Sequence, residues 1–446
     1  MTALGQHFEN YIRRQKLFGP NDRLLLAVSG GLDSMVLAHL IRASGHTFAI
    51  AHCDFQLRQL ASDQDSAFVQ SYAKLNGISC YHKKFETQAY AKQQKLSTQL
   101  AARELRYDWF SELMKDKGFD YLLTAHHAND QLETMLYNLT KGTGVAGLRG
   151  IPVKIENIRR PLLFATREEI EQYAMQHNIE WREDSSNQDD KYRRNLIRHR
   201  VVPPLKEINP ALERTLLNTS RRFDALEKLL LVECKRIKAK YMIKNLDNEL
   251  LSLSWYEESK GGLAILTELL KGYGFNSNQC ASISDAIDTQ SSGKQFFSSQ
   301  YVLGIDRESL IILPNDDQPI VDLVINEQDE ELSTAVANFT FEKTETTDGW
   351  TKNRNEAYLD ADKIEFPLKL RNWQQGDVFH PLGMKGKKKL SDFMIDEKIP
   401  VNLKSRVLVF ESNQDIIWIA GHRIDDRFKI TPKTKHVLII KMTDHV

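Results

Sequence analysis

Two hydrophobic periods alternate along the first third of the chain. Residues 24–29, Leu-Leu-Leu-Ala-Val-Ser, form a short continuous apolar run that stops at Gly30-Gly31. That pattern predicts a strand buried on both faces and closed by a tight turn. Residues 33–43, DSMVLAHLIRA, read as the following helix, and 47–53, 78–85 and 121–126 as further strands. Helices are predicted over 62–76, 97–117 and 129–140, with Leu100, Leu105, Trp109 and Leu113 sharing one side of the second. Thr166 followed by Glu169 fits a capping box that opens a helix ending near Asn178. Strands alternating with helices of this length predict a parallel sheet with right-handed crossovers.

The pattern changes after about residue 205. Residues 211–240 read as helical, rich in Leu, Lys and Arg, and 262–272 as another amphipathic helix. Short β-like runs follow at 295–305, 309–314 and 320–325. The stretch 327–356 is polar and acidic, and reads as a linker with edge strands. Strand candidates return at 407–410, 416–420 and 436–441. The fold class predicted is α/β: a parallel-sheet domain over 1–210, a helix-rich middle domain over 211–325, and a small mixed α/β C-terminal domain over 326–446.

Composition narrows the class. The chain has 446 residues, 41% hydrophobic and 27% charged, which suits globular domains with real cores. No apolar run reaches the roughly 18–20 residues a membrane helix needs, and MTALGQHFENYIRRQ lacks a signal-peptide core. Cys53, Cys80, Cys234 and Cys280 are widely spaced, which argues against a zinc ribbon or disulfide framework and suits a reducing cytoplasm. The 60 basic residues balance the 60 acidic ones. Zero net charge alone would argue against a nucleic-acid partner, but the charge is segregated. Lys191, Arg193, Arg194, Arg198 and Arg200 lie in 191–200 with no acid. Residues 384–446 carry 13 Lys and Arg against 8 Asp and Glu, an excess of five. Acidic stretches such as 327–348 offset these basic regions.

The strongest chemical signal is Ser29-Gly30-Gly31-Leu32-Asp33-Ser34, between strand and helix. Two glycines let backbone N–H groups approach an anion, and the helix N-terminus favours negative charge. Ser29 and Ser34 add hydroxyls, while Asp33 would repel bare phosphate and so implies a shared Mg²⁺. No GxxxxGK[ST] loop is present. Gly142-Thr-Gly144-Val-Ala-Gly147 matches GxGxxG, but it follows a helix, so the dinucleotide reading fails and a loop near the active site is predicted. A second group is Thr124-Ala-His-His-Ala-Asn-Asp-Gln-Leu-Glu-Thr134. His126 emerges at the strand's carboxyl edge, where ligands bind in open α/β sheets. Asp130 and Glu133 share the first turn of the next helix, where they either hold a metal or substrate or cap the helix. Arg103 is a further cation placed near the sheet, or a surface ion-pair residue.

SGGLDS after a buried strand resembles the signature of the PP-loop ATP pyrophosphatases, with their adenine nucleotide alpha hydrolase-like fold. The ordered motifs are similar to one family within that class, tRNA(Ile)-lysidine synthase. They are AHCDFQLR (51–58), AARELRY (101–107), AHHANDQLET (125–134), the 142–150 loop, SN-D-YRRN-IR (186–198), and PLGM with KKLSDF and GHRIDDRFKIT (381–431). The resemblance implies ATP-dependent joining of L-lysine to the wobble cytidine of the isoleucine tRNA with a CAU anticodon, releasing AMP and pyrophosphate. It implies that Ser29, Gly30, Gly31, Leu32, Asp33 and Ser34 hold ATP, with Asp33 and Asp130 on Mg²⁺. Glu133 would hold or deprotonate lysine, Arg103 and Arg194 would contact phosphate or base, and Lys385, Lys387, Lys388 and Lys389 would grip tRNA. His126 is a second candidate for the lysine proton. The family usually has two adjacent acids where Asn129-Asp130 stands, and Asn-His where Asp54-Phe55 stands. A PP-loop tRNA thiolase is the alternative, but no paired cysteines support it. No membrane partner is implied, and a homodimer is left open.

Overall fold

A computed structural model describes residues 3–57, 60–183, 193–245, 248–259, 262–315, 321–334, 337–345, 353–384 and 386–443. Arg58, Lys385 and residues 186–192 of the 186–198 motif, Lys191 among them, lie outside the described residues. The chain forms two compact units, Met1–Leu229 and Leu230–Val446.

The first unit opens with α1 (Ala3–Gln15), then alternates β1 (Leu24–Ala27), α2 (Leu32–Ala43), β2 (Phe48–Asp54), α3 (Leu60–Leu75) and β3 (Cys80–Lys84). Helices α4 (Thr87–Gln93) and α5 (Thr98–Lys117) lead to β4 (Tyr121–Leu123), α6 (Ala128–Thr140) and α7 (Val145–Arg149). A short hairpin, β5 (Lys154–Ile155) and β6 (Ile158–Arg159), precedes α8 (Arg167–Gln176). The unit ends with α9 (Arg193–Leu196), a π-helical turn at Ile197–Val201, α10 (Val202–Ile208) and the first half of α11 (Leu212–Tyr241).

The sheet order is β3-β2-β1-β4-β6-β5. β1 pairs in parallel with both β2 and β4, and β5 is an antiparallel edge. The continuous apolar run follows from burial on both faces. Leu24 and Leu26 pack with Phe8 of α1, Met35 of α2 and Ile170 of α8. Leu25, pointing the other way, packs with Trp109, Phe110 and Leu113 of α5. Leu100, predicted on the same apolar side as Trp109, is instead 51% exposed, while Ala101 and Ala102 next to it are the buried residues of that turn.

The second unit holds the rest of α11, then β7 (Met242–Lys244), β8 (Glu249–Ser252), α12 (Ser254–Glu258), α13 (Gly262–Lys271) and α14 (Ser277–Asp288). Strands β9 (Gln295–Phe297), β10 (Tyr301–Asp306) and β11 (Ser309–Pro314) complete an antiparallel sheet of order β7-β8-β11-β10-β9. The middle region is therefore helix-rich with one sheet, and Trp255, Leu266, Leu270, Cys280 and Ile283 form its core.

The C-terminal region stacks two antiparallel sheets. One is β12 (Asp322–Ile325), β16 (Leu368–Asn372), β19 (Leu408–Ser412), β20 (Asp415–Ile419) and β21 (Arg423–Ile424). The other is β13 (Glu331–Ser333), β14 (Asn338–Thr344), β22 (Val437–Thr443) and β15 (Glu356–Asp360), in that order. A small hairpin, β17 (Val378–Phe379) with β18 (Lys388–Lys389), leads into α15 (Leu390–Asp396) and α16 (Val401–Lys404). Leu408 and Phe410 face the core between the sheets, while Val407 and Val409 face Phe393 of α15. The stretch read as a linker with edge strands contains β14, which lies inside its sheet between β13 and β22. Phe339 is fully buried, at ring-centroid distances of 5.1 Å from Phe410 and 6.4 Å from Trp418. Its alternation with Thr340 and Glu342 hides one apolar face within a polar sequence.

Phe339→Ala should therefore destabilise the second unit by about 3–5 kcal/mol, the cost of emptying a buried aromatic site. A linker residue would cost almost nothing, and chemical denaturation of the full chain distinguishes the two.

Candidate active site

Strand order places the site. β2 lies on one side of β1 and β6 on the far side of β4, so the connections leaving β1 and β4 run in opposite directions and open a crevice at their carboxyl ends. The 29–34 loop follows β1 and the 125–134 motif follows β4, so both border this crevice.

Gly30 has φ +92°, and a Cβ there would stand 3.3 Å from Val69 Cγ2. Only glycine takes this turn without strain. The loop is braced internally. Ser34 Oγ donates to Gly31 C=O at 2.9 Å and accepts from Ser29 N–H at 3.2 Å, and Ser29 Oγ accepts from Gly31 N–H at 3.3 Å. Ser34 is buried, and Leu32 turns its side chain into the core. The first hydrogen bond of α2 is Met35 N–H to Gly31 C=O, so the N–H groups of Leu32, Asp33 and Ser34 stand ahead of the helical ladder. They form the anion-seeking end of a 12-residue helix.

The acidic side chains each meet a cation or a donor. His127 caps α6: its Nδ1 accepts Asn129 N–H at 3.3 Å, while Asp130 Oδ2 accepts His127 N–H at 3.0 Å. The other ring nitrogen, Nε2, lies 3.6 Å from Asp33 Oδ2 and 3.5 Å from Asp130 Oδ2. One imidazole thus bridges the carboxylates that follow β1 and β4. Burial opposes a charge on His127, but Asp130 and Asp33 outweigh it and raise its pKa. Burial likewise pushes Asp130 up, and His127, His126 and the His127 N–H more than reverse this. Arg167 Nη1 lies 3.4 Å from Asp33 Oδ2. Asp33 Oδ1 is buried and has no hydrogen-bond partner. That vacant carboxylate oxygen, close to a second carboxylate, suits a hard cation that also takes phosphate oxygens. Among the described residues, no group of three or more His, Cys, Asp and Glu is placed to hold a metal by itself.

Glu133 lies deeper, forked by Arg198: Nε to Oε1 at 2.6 Å and Nη2 to Oε2 at 3.2 Å. Burial raises the Glu133 pKa, and Arg198 only partly counters it. Arg198 stands on the π-helical turn, a rare geometry often found at functional sites. Arg194 is exposed, with Nη2 3.5 Å from Thr134 Oγ1. Arg103 is exposed over the Tyr107 ring at 5.0 Å. Arg160 is buried, donates to Pro152 C=O at 2.6 Å and lies close to Tyr107. Arg103, Arg160 and Arg194 thus gather around Tyr107 and His126. Burial, helped by Arg160 and Arg194, pushes the His126 imidazole down to about 4.

Sequence reading missed His127, Arg160 and Arg167. Arg167 had a usable signal: a cation in the first turn of α8 opposes the helix dipole and so needs another partner. Asn129 also becomes intelligible. Its Oδ1 accepts Arg167 N–H at 2.9 Å and its Nδ2 donates to Glu213 at 3.0 Å, tying α6 to α8 and α11. An aspartate there would face Glu213 as a like charge. The 142–150 segment is the short helix α7, held to α6 by Gln131, which donates to Arg149 C=O and accepts Ile151 N–H, both at 2.6 Å. Phe55 stacks on Phe85 and lies under Arg106. Lys387 and Lys389 are exposed on their loop, and Lys388 pairs with Asp396.

Residues 4–205 match the PP-loop domain family, which with this sheet and loop defines the first unit as that of a PP-loop, ATP-using enzyme. Residues 245–315 match the TilS substrate binding domain and 368–440 the TilS substrate C-terminal domain. A tRNA(Ile)-lysidine synthase of Bacteroides thetaiotaomicron is 36% identical over 440 residues, covering 98% of this chain and 99% of that relative. One from Porphyromonas gingivalis is 36% identical over 453 residues, 96% of each chain, and one from Persephonella marina 30% over 451, covering 98% and 99%. The chain belongs to the tRNA(Ile)-lysidine synthase family. Thiolation is not favoured: the cysteines are unpaired, and burial pushes the Cys53 thiol up to about 12.

The His126 shift makes a pH prediction. Between about 4 and 6.5 the unfolded chain binds a proton that the folded site refuses, so this residue's contribution to stability is lost as pH falls through that window. Thermal unfolding followed from about pH 7 to about pH 5 should show a falling midpoint, with a shallower fall in His126→Gln.

Proposed function

We propose that this protein ligates L-lysine to C2 of the wobble cytidine in the isoleucine tRNA with a CAU anticodon, in the cytoplasm. The observation that carries the reading is the meeting of the 29–34 loop and the 125–134 acids at one crevice, in a chain matched over its full length by lysidine synthases.

In the first step the cytosine O2 attacks the α-phosphorus of ATP, and pyrophosphate leaves. In the second the lysine ε-amine attacks C2, and AMP leaves with the oxygen. Ser29, Gly30, Gly31 and the N–H groups of Leu32, Asp33 and Ser34 would hold the pyrophosphate portion. Asp33 and Asp130 would hold Mg²⁺, which when bound neutralises phosphate charge. His127 keeps these two carboxylates together, and Arg167 supplies a cation already beside Asp33. Preorganised cations and N–H groups stabilise charge developing on the phosphorus.

Glu133 would receive the lysine ammonium and take its proton, with Arg198 as the counter-ion the substrate displaces. His126, neutral at pH 7, is the other acceptor within the motif. Arg103 and Arg194 would contact phosphate or base, with Arg160 behind them. Lys385, Lys387, Lys388 and Lys389 would grip tRNA phosphates.

The test is transfer of radiolabelled lysine to the CAU-anticodon tRNA(Ile) transcript with ATP and Mg²⁺. Label on the tRNA is expected; its absence, with sulfur or glutamine-derived nitrogen transferred instead, would overturn the reading. Asp33→Ala should cut AMP formation by roughly a hundred- to a thousandfold, the scale of losing a key electrostatic group, while tRNA binding largely survives. Unimpaired transfer in that variant would remove Asp33 from the metal site.

A further inference from the structure

The segment Gly421–Thr431, GHRIDDRFKIT, takes no part in the chemistry above, yet its two aspartates hold the base of the lysine loop. Asp425 is fully buried. Its Oδ2 accepts His380 N–H at 2.8 Å and Arg427 Nη2 at 2.9 Å, and its Oδ1 accepts Arg427 N–H at 2.9 Å and Nε at 3.0 Å. Asp426 Oδ1 accepts Gly383 N–H at 3.1 Å, and Lys429 Nζ meets Oδ1 and Oδ2 at 3.0 and 2.9 Å. Backbone bonds reinforce them: Asp426 N–H donates to His380 C=O at 2.7 Å, and Leu382 N–H to Ile424 C=O at 3.2 Å.

The other foot of the loop is tied as firmly. Arg371 forks Asp377 at 2.9 and 3.0 Å, and Leu390 N–H donates to Asp377 C=O at 2.8 Å. β17 and β18 pair Val378 with Lys389 and Phe379 with Lys388. Between these feet the chain turns through Gly383 and Gly386, at φ +83° and +105°, and presents Lys387 and Lys389 to solvent.

We propose that Asp425 and Asp426 are positioning residues for tRNA: they set the direction of the loop that carries Lys387 and Lys389. A loop ordered before binding pays less entropy when its cations meet phosphates. Lys429 neutralises Asp426, so an acid at the base of a phosphate-binding loop does not repel the RNA. The inference rests on the reading of this loop as a tRNA contact.

Steady-state lysine transfer with the full-length protein tests it. Asp426→Ala should raise KM for tRNA about tenfold, the scale of one charge-assisted hydrogen bond, leaving kcat and the KM for ATP unchanged. Asp426→Asn retains an oxygen for Gly383 N–H and should recover most of the loss. The Lys387→Ala/Lys389→Ala variant tests the underlying reading: an unchanged KM for tRNA would overturn the loop as a contact. If that variant raises KM, adding Asp426→Ala to it should cost little more. A full additional loss there, an unchanged KM in Asp426→Ala alone, or a matching fall in kcat would overturn the positioning role while leaving the contact intact.

Discussion

The parallel register Leu24↔Tyr121, Leu25↔Leu122 and Leu26↔Leu123 sets β4 directly beside β1. Almost everything at the crevice depends on that pairing. It brings the N-terminus of α2 within reach of the N-terminus of α6, two positive helix ends that converge on the same space. It also lets His127 stand between Asp33 and Asp130, which are 97 positions apart in sequence (130 − 33). Shifting the pairing by one residue would turn Leu24 and Leu26 into the layer now occupied by Leu25, so the two apolar cores defend the register that the chemistry needs.

Around this crevice the charges are matched before any substrate arrives. Asp33 has Arg167 and His127, Asp130 has His127, and Glu133 has Arg198. Several of these groups are buried, and a buried carboxylate without a partner would be costly. On the proposed reading, phosphates would compete with these carboxylates for Arg167, and a lysine ammonium would take the place of Arg198 on Glu133, so binding would exchange partners without exposing bare charge. Asn129 extends the logic. Its amide satisfies Glu213 and the first turn of α8 at once, a pairing that a second acid at this position could not make.

The second unit uses carboxylates differently. Asp377, Asp425 and Asp426 accept backbone N–H groups or arginine forks and so shape loops. The family resemblance marked the segment of Asp425 and Asp426 by motif, but the motif did not say what the acids hold. Similarly, polar 327–356 read as a linker with edge strands, yet its strand at 338–344 lies inside a sheet, where Phe339 meets Phe410 and Trp418 more than 70 positions away. Alternation with charged neighbours masks a strand whose core face is only two aromatic rings wide.

By itself the sequence determined the alternating strands and helices of the first unit, because burial on both faces of β1 demands an unbroken apolar run. It also determined the 29–34 loop, because glycine and a following helix leave a local imprint. The capping box at Thr166 and the ordered motifs at both ends were equally legible. Tertiary structure decided which acid meets which cation. Arg167 on Asp33, Arg198 on Glu133 and the His127 bridge join segments far apart in sequence, and such pairings leave no periodic trace. Only the strand order around β1, through burial and backbone register, chooses among the cations the sequence offers.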